Sequence, residues 1–326
     1  MKIAVVGCNG FGKVHLNVLQ RVKGIEYYVF SREETKAKEC MKEFNANGYF
    51  TDYDKILQSD VDVIDLLVSH DMHYTMGVQA LRSGKHLMVE KPIAKSVEEG
   101  EKLIKTAKEM NKKFMVLEQY YFDSSVRTAV QLLPKLGSLS LVIVRSTHAF
   151  RPAGWRREKD RMGGGALIDG GVHFIDVLLN IGGEYDQVKA QCGRYYSNIE
   201  GEDTSLATFR FKGGGLGLLI YSWATPAPPK NPGIEIYGTM GSIIEDPDTR
   251  AVDPDTRSRT KPFGDLILNI EGKEERVTVE KTSPIEVEIK GFINAIEQDR
   301  EVPMPPEIAL RDLRAVYDIY KSCNIT

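Results

Sequence analysis

The sequence predicts an α/β protein with two domains: an N-terminal doubly wound parallel sheet and a C-terminal α+β domain with a large, mostly antiparallel open sheet. The chain has 326 residues, more than a single hydrophobic core usually supports. Up to residue 116, short apolar runs alternate with amphipathic stretches, which is the βαβ pattern. After about residue 120, longer alternating segments are joined by Gly- and Pro-rich turns. We therefore expect domains at residues 1–120 and 121–326, with a cleft between them.

The first half opens with the strand KIAVVG, a helix from about 12 to 22, the strand EYYVFS and a helix from about 33 to 44. The runs VDVIDLLV, HLMVEKP and FMVLEQ follow it. Each is apolar on both faces, as expected of parallel strands covered by helices on two sides.

The second half contains four segments with the alternation of half-buried strands: LVIVRSTHAF, SLATFRF, LGLLIYSW and GIEIYG. Helical periodicity appears at about 165–180, 285–298 and 307–322. This mixture predicts the α+β class for the second domain.

Composition excludes several kinds of partner. The formal net charge is -3 and both signs are interspersed, so neither a nucleic-acid nor an anionic-membrane surface is indicated. No apolar run approaches the roughly 20 residues of a membrane span, and Ile3–Val6 is too short for a signal-peptide core. Four distant cysteines without a C-x-x-C pair argue against a disulfide framework and a zinc knuckle, and we expect a cytoplasmic protein: Cys8, Cys40, Cys192 and Cys323.

A short tandem repeat, DPDTRA from Asp246 and DPDTRS from Asp253, has paired aspartates that are compatible with calcium. It lacks the glycine and the final bidentate glutamate of an EF-hand loop. Turn chemistry explains it better, and we expect no metal site.

A glycine-rich turn follows the first strand and opens a helix, in the sequence Gly7-Cys8-Asn9-Gly10-Phe11-Gly12. This is where a Rossmann domain directs free N–H groups at a dinucleotide pyrophosphate. Asn9 replaces the usual middle glycine and Gly10 lies one position later. The alternative is an ordinary tight strand-to-helix turn.

The second strand ends at Ser31-Arg32, where an NAD enzyme often has an acidic residue for the ribose 2'-hydroxyl. A hydroxyl and a guanidinium suit a 2'-phosphate, which favours NADP(H) over NAD(H). Glu33 and Glu34 follow and are an alternative for the ribose, and Arg32 is otherwise a solvated residue at the start of a helix.

Two further features carry candidate chemistry. Glu90-Lys91-Pro92 ends the fifth strand, where a lysine faces the ligand crevice of a parallel sheet, although such a tripeptide also suits a surface turn. Asp169 and His173 lie four apart in a helix, on one face. The alternatives for this pair are a structural histidine and half of a metal site.

Together these residues resemble the Gfo/Idh/MocA oxidoreductases, named after glucose-fructose oxidoreductase and inositol dehydrogenase. The resemblance covers nearly the whole chain. It rests on the glycine turn and on motifs at Ala80–His86, Glu90–Pro92, Trp155-Arg156, Asp169–Asp176, Ile236–Ser242 and Ala309–Arg311.

The resemblance implies a nicotinamide cofactor, a catalytic group formed by Lys91, Asp169 and His173, and a homodimer or homotetramer associating through the C-terminal sheet. Many members have Thr-Pro-Asn-x-x-His after the fourth strand. This chain has Val68–His73 there, and only His73 matches. Glu90 and Lys91 complete the expected cofactor contacts, together with Ser69, His70 and His73.

The expected activity is hydride transfer between the nicotinamide and a hydroxyl or carbonyl carbon of a sugar, polyol or related small molecule. The expected substrate contacts beyond the catalytic group are Tyr120, Arg151, Trp155 and Arg156. The alternatives are a non-catalytic dinucleotide-binding regulator and a reductase for a dihydrodiol, an imine or a tetrapyrrole.

Overall fold

A computed structural model describes residues 1–253, 255 and 261–325. The chain forms two compact units. Unit 1 contains residues 1–118 and 285–310, and unit 2 contains residues 119–284 and 311–326. The first crossing from one unit to the other lies two residues from the boundary expected at 120. The segment 285–310, which the sequence order places in the second domain, packs with the first.

Unit 1 is built on six strands that all pair in parallel, in the order β3-β2-β1-β4-β5-β6. The strands are β1 (Lys2–Val6), β2 (Glu26–Phe30), β3 (Gly48–Phe50), β4 (Val63–Leu66), β5 (His86–Glu90) and β6 (Phe114–Leu117). The helices between them are α1 (Gly12–Leu19), α2 (Glu34–Glu43), α3 (Tyr53–Gln58), α4 (His70–Arg82) and α5 (Val97–Glu109). This is the strand order of the Rossmann fold, and it confirms the predicted doubly wound sheet.

The central strands of this sheet are apolar because helices cover both of their faces. All four residues of β4 and of β6 are buried, and so are the last four of β1. The alternation of strand and helix therefore leaves polar side chains mainly on the outer faces of the helices and in the loops.

Unit 2 is built on an eight-stranded sheet in the order β14-β13-β12-β11-β7-β10-β9-β8. The strands are β7 (Leu139–Thr147), β8 (Tyr185–Gly193), β9 (Thr204–Phe211), β10 (Leu216–Ser222), β11 (Ile234–Gly238), β12 (Gly241–Glu245), β13 (Leu266–Ile270) and β14 (Lys273–Val277). The helices are α6 (Ser124–Leu132), α7 (Lys159–Met162) and α8 (Val172–Gly182). The pair β7–β10 is parallel and the other pairs are antiparallel, as the predicted open sheet requires.

The core of unit 2 lies between α8 and one face of this sheet. Along β9 buried and exposed residues alternate, with Phe209 and Phe211 among the buried ones. Within the described residues, one helical stretch, Lys159–Gly182, is long and apolar enough to cross a membrane. Because 89% of its most apolar window is buried, this stretch is a core helix. The sequence predicted no stretch of this length because α7 and α8 were not expected to join into one helical stretch.

Two helices close the chain, α9 (Pro284–Glu297) and α10 (Pro306–Ser322). Phe292 of α9 is fully buried. The helix is also joined to unit 1 at its surface, since Arg21 Nη2 lies 3.1 Å from Glu286 Oε2. These contacts explain why a segment late in the sequence completes the first unit.

A disulfide within unit 2 joins the residue that follows α10 to β8. Cys192 in β8 and Cys323 form a disulfide across 131 residues of sequence. The spacing of the cysteines argued against a disulfide framework and did not predict this bond, because sequence separation says nothing about which residues the fold brings together. Cys8 and Cys40 are free and buried.

Replacing Phe292 with alanine tests whether α9 is part of a core. Phe292→Ala leaves a cavity at a fully buried site, and we expect the free energy of unfolding to fall by about 3–5 kcal/mol. Val287→Ala, at a residue 39% exposed on the same helix, should change it by less than about 0.5 kcal/mol. Urea denaturation measures both, and equal effects would contradict the packing.

Candidate active site

The glycine turn of unit 1 is too tight for side chains at two positions. A Cβ on Gly7 would lie 2.1 Å from the Leu67 carbonyl oxygen, and Gly7 has a φ of +117°. A Cβ on Gly12 would lie 1.9 Å from the Gly7 oxygen. Asn9 and Gly10 are exposed, and the position of a Gly10 Cβ is open space. A pyrophosphate can therefore approach this backbone, and the turn, which Phe11 completes, fits a dinucleotide.

The residues after β2 are arranged around an exposed guanidinium. Ser31 is half-buried, and its Oγ accepts a hydrogen bond from the Glu33 amide at 3.3 Å. Arg32 is exposed. The two acidic alternatives for the ribose form ion pairs one turn along α2, Glu33 with Lys36 at 2.7 Å and Glu34 with Lys38 at 2.8 Å.

The loop after β4 is held from inside the unit. Ser69, His70 and His73 are 8%, 2% and 0% exposed. His73 Nδ1 lies 2.8 Å from the Pro92 carbonyl oxygen, and its Nε2 lies 3.2 Å from the Val68 carbonyl oxygen. Burial, followed by the neighbouring His70, lowers the pKa of His73 to about 4. A neutral, fully buried His73 thus joins the loops after β4 and β5.

The segment Glu90-Lys91-Pro92 leaves the carboxyl end of β5, as the sequence predicts. Glu90 and Lys91 are half-buried, and the peptide bond between Lys91 and Pro92 is cis. Lys91 therefore follows directly on the strand that pairs with β4 and β6.

In unit 2 the predicted helix around Asp169 is not a continuous α-helix. It opens with a π-helical segment, Leu167–Gly171, and continues as α8. A Cβ on Gly165 would lie 2.1 Å from the Glu202 carbonyl oxygen, so the entry to this segment lies directly on the Glu202 backbone. π-Helical turns inside α-helices are frequent at functional sites.

Glu202 fixes the start of that segment. Its Oε1 accepts hydrogen bonds from the Leu167 amide at 2.9 Å and from the Tyr320 hydroxyl at 3.0 Å. Burial raises the pKa of Glu202 to about 7, against the lowering effect of these hydrogen bonds.

Four predicted residues of unit 2 form two contacting pairs. Arg156 Nε donates to Asp169 Oδ2 at 2.8 Å, and the Arg156 guanidinium also lies 4.4 Å from the ring of Trp155. The ring of His173 stacks on that of Tyr120, with centroids 4.5 Å apart. Asp169 and His173 are 4% and 8% exposed. These contacts fix a carboxylate and an imidazole on neighbouring turns of one apolar helical stretch.

Arg151, predicted to contact substrate, is exposed and lies over the ring of Tyr196 at 4.1 Å. Two aromatic residues of β10 and its end, Tyr221 and Trp223, are not among the site residues predicted from the sequence. Trp223 Nε1 donates to the Tyr221 hydroxyl at 2.7 Å. Burial raises the pKa of Tyr221 well above 10, and Asp169 contributes. The alternating pattern of LGLLIYSW predicted this strand, but it did not predict which helix packs against the strand's aromatic side chains.

Among the described residues, no group of three or more His, Cys, Asp or Glu side chains is arranged to hold a metal ion. The first DPDTR repeat forms a 3₁₀ turn, Pro247–Thr249, whose preceding Asp246 accepts from the Asp248 amide at 3.1 Å and pairs with Arg276. Most of the second repeat lies outside the described residues.

Comparison with known proteins identifies the class of this chain. Residues 1–118 match the family described as "Oxidoreductase family, NAD-binding Rossmann fold", and residues 127–244 match the "GFO/IDH/MocA C-terminal domain". The chain belongs to the Gfo/Idh/MocA oxidoreductase family, as the resemblance predicts.

The chain is similar to 4-carboxy-2-hydroxymuconate-6-semialdehyde dehydrogenase of Sphingobium sp., with 26% identity over 92% of each chain. It is also similar to levoglucosan dehydrogenase of Pseudarthrobacter phenanthrenivorans, with 23% identity over 64% of this chain and 61% of the relative. An oxidoreductase structure from Thermotoga maritima superposes with a TM-score of 0.85 at 23% identity, covering 100% of this chain and 97% of the other, which shows a shared fold. The chain spans 61% and 65% of the lengths of two of the curated relatives it matches.

The raised pKa of Glu202 predicts how stability depends on pH. The folded protein holds the Glu202 proton up to about pH 7, whereas an unfolded glutamate releases it near 4.5, so the free energy of unfolding falls as pH rises through this window. Between pH 5 and pH 8 the free energy of unfolding of the wild type should fall by on the order of 3 kcal/mol relative to that of the neutral isostere Glu202→Gln.

Urea denaturation of both proteins at the two pH values measures this difference. Glu274→Gln, at an exposed residue of β14, is the control and should show no comparable change. A difference between wild type and Glu202→Gln that is the same at both pH values would contradict the assignment.

Proposed function

We propose that this protein is an NAD(P)-dependent dehydrogenase or reductase that transfers hydride between the nicotinamide and a hydroxyl or carbonyl carbon of a sugar, polyol or related small molecule. The observation that carries the proposal is the pairing in unit 2 of Asp169 with Arg156 and of His173 with Tyr120. The dinucleotide-binding turn of unit 1 and the family membership support it.

The setting of these two polar residues favours a chemical role over a structural one. Nine of the eleven residues of α8 are buried, His173 among them. Polar side chains in such an apolar helix are costly unless they are paired, and buried titratable groups cluster at functional sites.

Oxidation of a hydroxyl carbon needs a base for the proton and an acceptor for the hydride. A bound nicotinamide supplies the acceptor at its C4. His173 takes the hydroxyl proton on its imidazole, and Asp169, held by Arg156, orients the substrate or the imidazole. In unit 1, the Lys91 ammonium at the carboxyl end of β5 is the group suited to stabilise a developing alkoxide. In the direction of reduction, His173 returns the proton to that oxygen.

The side chains near the catalytic pair indicate the kind of substrate. Trp155 and Tyr120 offer aromatic faces that suit the C–H face of a sugar ring, and levoglucosan dehydrogenase is a relative that acts on a sugar derivative. The relative aligned over 92% of each chain acts instead on a carboxylated semialdehyde, and the guanidinium of Arg156 also suits a carboxylate. A carbonyl compound with a carboxylate is therefore the second candidate.

Substitution of the catalytic pair tests the activity. His173→Asn should lower kcat by about a hundredfold or more, since general acid–base catalysis contributes on that order. Asp169→Asn should lower kcat by about a hundredfold, because a misoriented reacting group slows the chemical step. Absorbance at 340 nm, followed with NAD(H) and NADP(H) across sugars, polyols and semialdehydes, measures turnover.

The control is Asp160→Asn, at an exposed residue of α7, which should retain full activity. Near-full activity of His173→Asn would exclude the proposed base. Tight cofactor binding with no hydride transfer by the wild type to any substrate would favour the non-catalytic regulator.

The residues after β2 favour NADP(H) over NAD(H). Arg32 is exposed, and the neighbouring Glu33 and Glu34 are in ion pairs, which favours a 2'-phosphate at this position. Arg32→Gln should raise KM for NADP(H) by about tenfold or more and leave KM for NAD(H) within about twofold. Lys42→Gln, which removes an exposed positive charge from the last turn of α2, is the control and should leave both KM values unchanged. Equal changes for both cofactors would contradict the assignment.

Two further expectations remain proposals. We infer association into a homodimer or homotetramer through the outer face of the eight-stranded sheet, where the exposed residues include Leu206 and Leu216. A cytoplasmic location is also a proposal, and the Cys192–Cys323 disulfide gives it no support.

A further inference from the structure

Unit 1 buries a group of charged side chains that the proposed reaction does not use. His15, Asp65 and Glu288 are 0% exposed, and Glu118 is 2% exposed. Glu90, which precedes Lys91, has a side chain 13% exposed. These five residues come from α1, β4, β5, the end of β6 and α9, and we call them the acidic cluster.

The strand register places two of these carboxylates on one face of the sheet. Leu66 pairs with Val89, so Asp65 and Glu90 point to the same side of β4 and β5. His15 lies between them in the second turn of the helix that follows the glycine turn. Its Nδ1 is 2.9 Å from Asp65 Oδ2, and its Nε2 is 3.5 Å from Glu90 Oε1.

His15 carries a positive charge in this setting. Burial lowers the pKa of His15, but the attraction of Asp65, together with Glu90, outweighs burial and raises the pKa to about 10. Both ring nitrogens are then protonated at neutral pH. The imidazolium hydrogen-bonds Asp65 through Nδ1. Its Nε2 makes no hydrogen bond among the described residues and attracts the Glu90 carboxylate across 3.5 Å.

Glu288 differs from the other carboxyl groups of the acidic cluster in its hydrogen bonding. Neither of its carboxyl oxygens has a hydrogen-bond partner among the described residues. Burial raises the pKa of Glu288 well above 4.5, Glu90, Glu118 and Asp65 raise it further, and His15 lowers it. The buried setting of Glu288 therefore favours its neutral form, in contrast to the paired Asp65.

The segment that carries Lys91 is thus anchored on both sides by histidines from two helices. Before Lys91, the Glu90 carboxylate faces His15 of α1. After Lys91, the Pro92 carbonyl accepts from His73 of α4. Lys91 lies between these two anchors.

We propose that His15 is a positioning residue for Lys91: through Glu90, it couples the helix of the glycine turn to the segment that presents the ammonium. The inference rests on the proposed function for its catalytic consequence. Its structural consequence, ordering of residues 89–94, does not depend on any activity.

Hydrogen–deuterium exchange of the full-length protein, followed by mass spectrometry, tests the ordering. His15→Asn and Glu90→Gln should each raise amide exchange in the peptide 89–94 by about tenfold, while the peptide 97–109 of α5 is unchanged. Glu288→Gln, the neutral isostere in the same cluster, is the control and should leave both peptides unchanged. If His15→Asn does not fold, Glu90→Gln still decides the test.

The catalytic arm is a double-mutant cycle. Each single variant should lower kcat by about tenfold or more with substrate KM nearly unchanged, because misplacing a catalytic group mainly affects the chemical step. The double variant should be no slower than the worse single variant, since the two residues act as one unit.

Unchanged amide exchange in the peptide 89–94 of both variants overturns the proposal. Faster exchange with unchanged kcat also overturns it, and so do losses of kcat that add up in the double variant. If the wild type shows no hydride transfer, the proposed function fails, and the exchange arm alone supports or overturns the coupling of His15 to this segment.

Discussion

All six strands of unit 1 run in the same direction, so their carboxyl ends lie along one edge of the sheet. Helices cover both faces, so polar side chains carried by the strands avoid a burial cost mainly where the strands end in loops. The glycine turn, Ser31-Arg32, Ser69 and Lys91 all follow the carboxyl end of a strand. The parallel pairing therefore gathers the candidate cofactor residues, and the acidic cluster lies within the same unit, where its charges need partners.

Unit 2 also contains polar side chains at buried positions, in an apolar helical stretch. Asp169 and His173 are buried in a stretch whose other side chains pack against the sheet, so each needs a partner within the unit. Arg156 is the hydrogen-bond partner of Asp169, Tyr120 stacks on the His173 ring, and Glu202 hydrogen-bonds the entry of the π-helical segment. The site thus depends on polar contacts made across long stretches of sequence.

Most elements were predictable because their patterns are strong and local. The strands missed were the three-residue β3 and four strands of unit 2: β8, β12, β13 and β14. β8 and β14 are edge strands, and β14 is exposed over most of its length, so they lack the apolar alternation that marks a half-buried strand. The helix around Asp169 was predicted, but its π-helical start was not, since periodicity cannot resolve one extra residue in a turn.

The sequence by itself determined the class of fold, the glycine turn and the residues that resemble a catalytic group, because each depends on spacing within a short segment. Only the tertiary structure decided that residues 285–310 complete the first unit, that Cys192 is bonded to Cys323, and that Tyr221 lies near Asp169. It also decided the charge of His15. The physical reason is that packing, pairing and desolvation depend on distance in space, which local patterns do not contain.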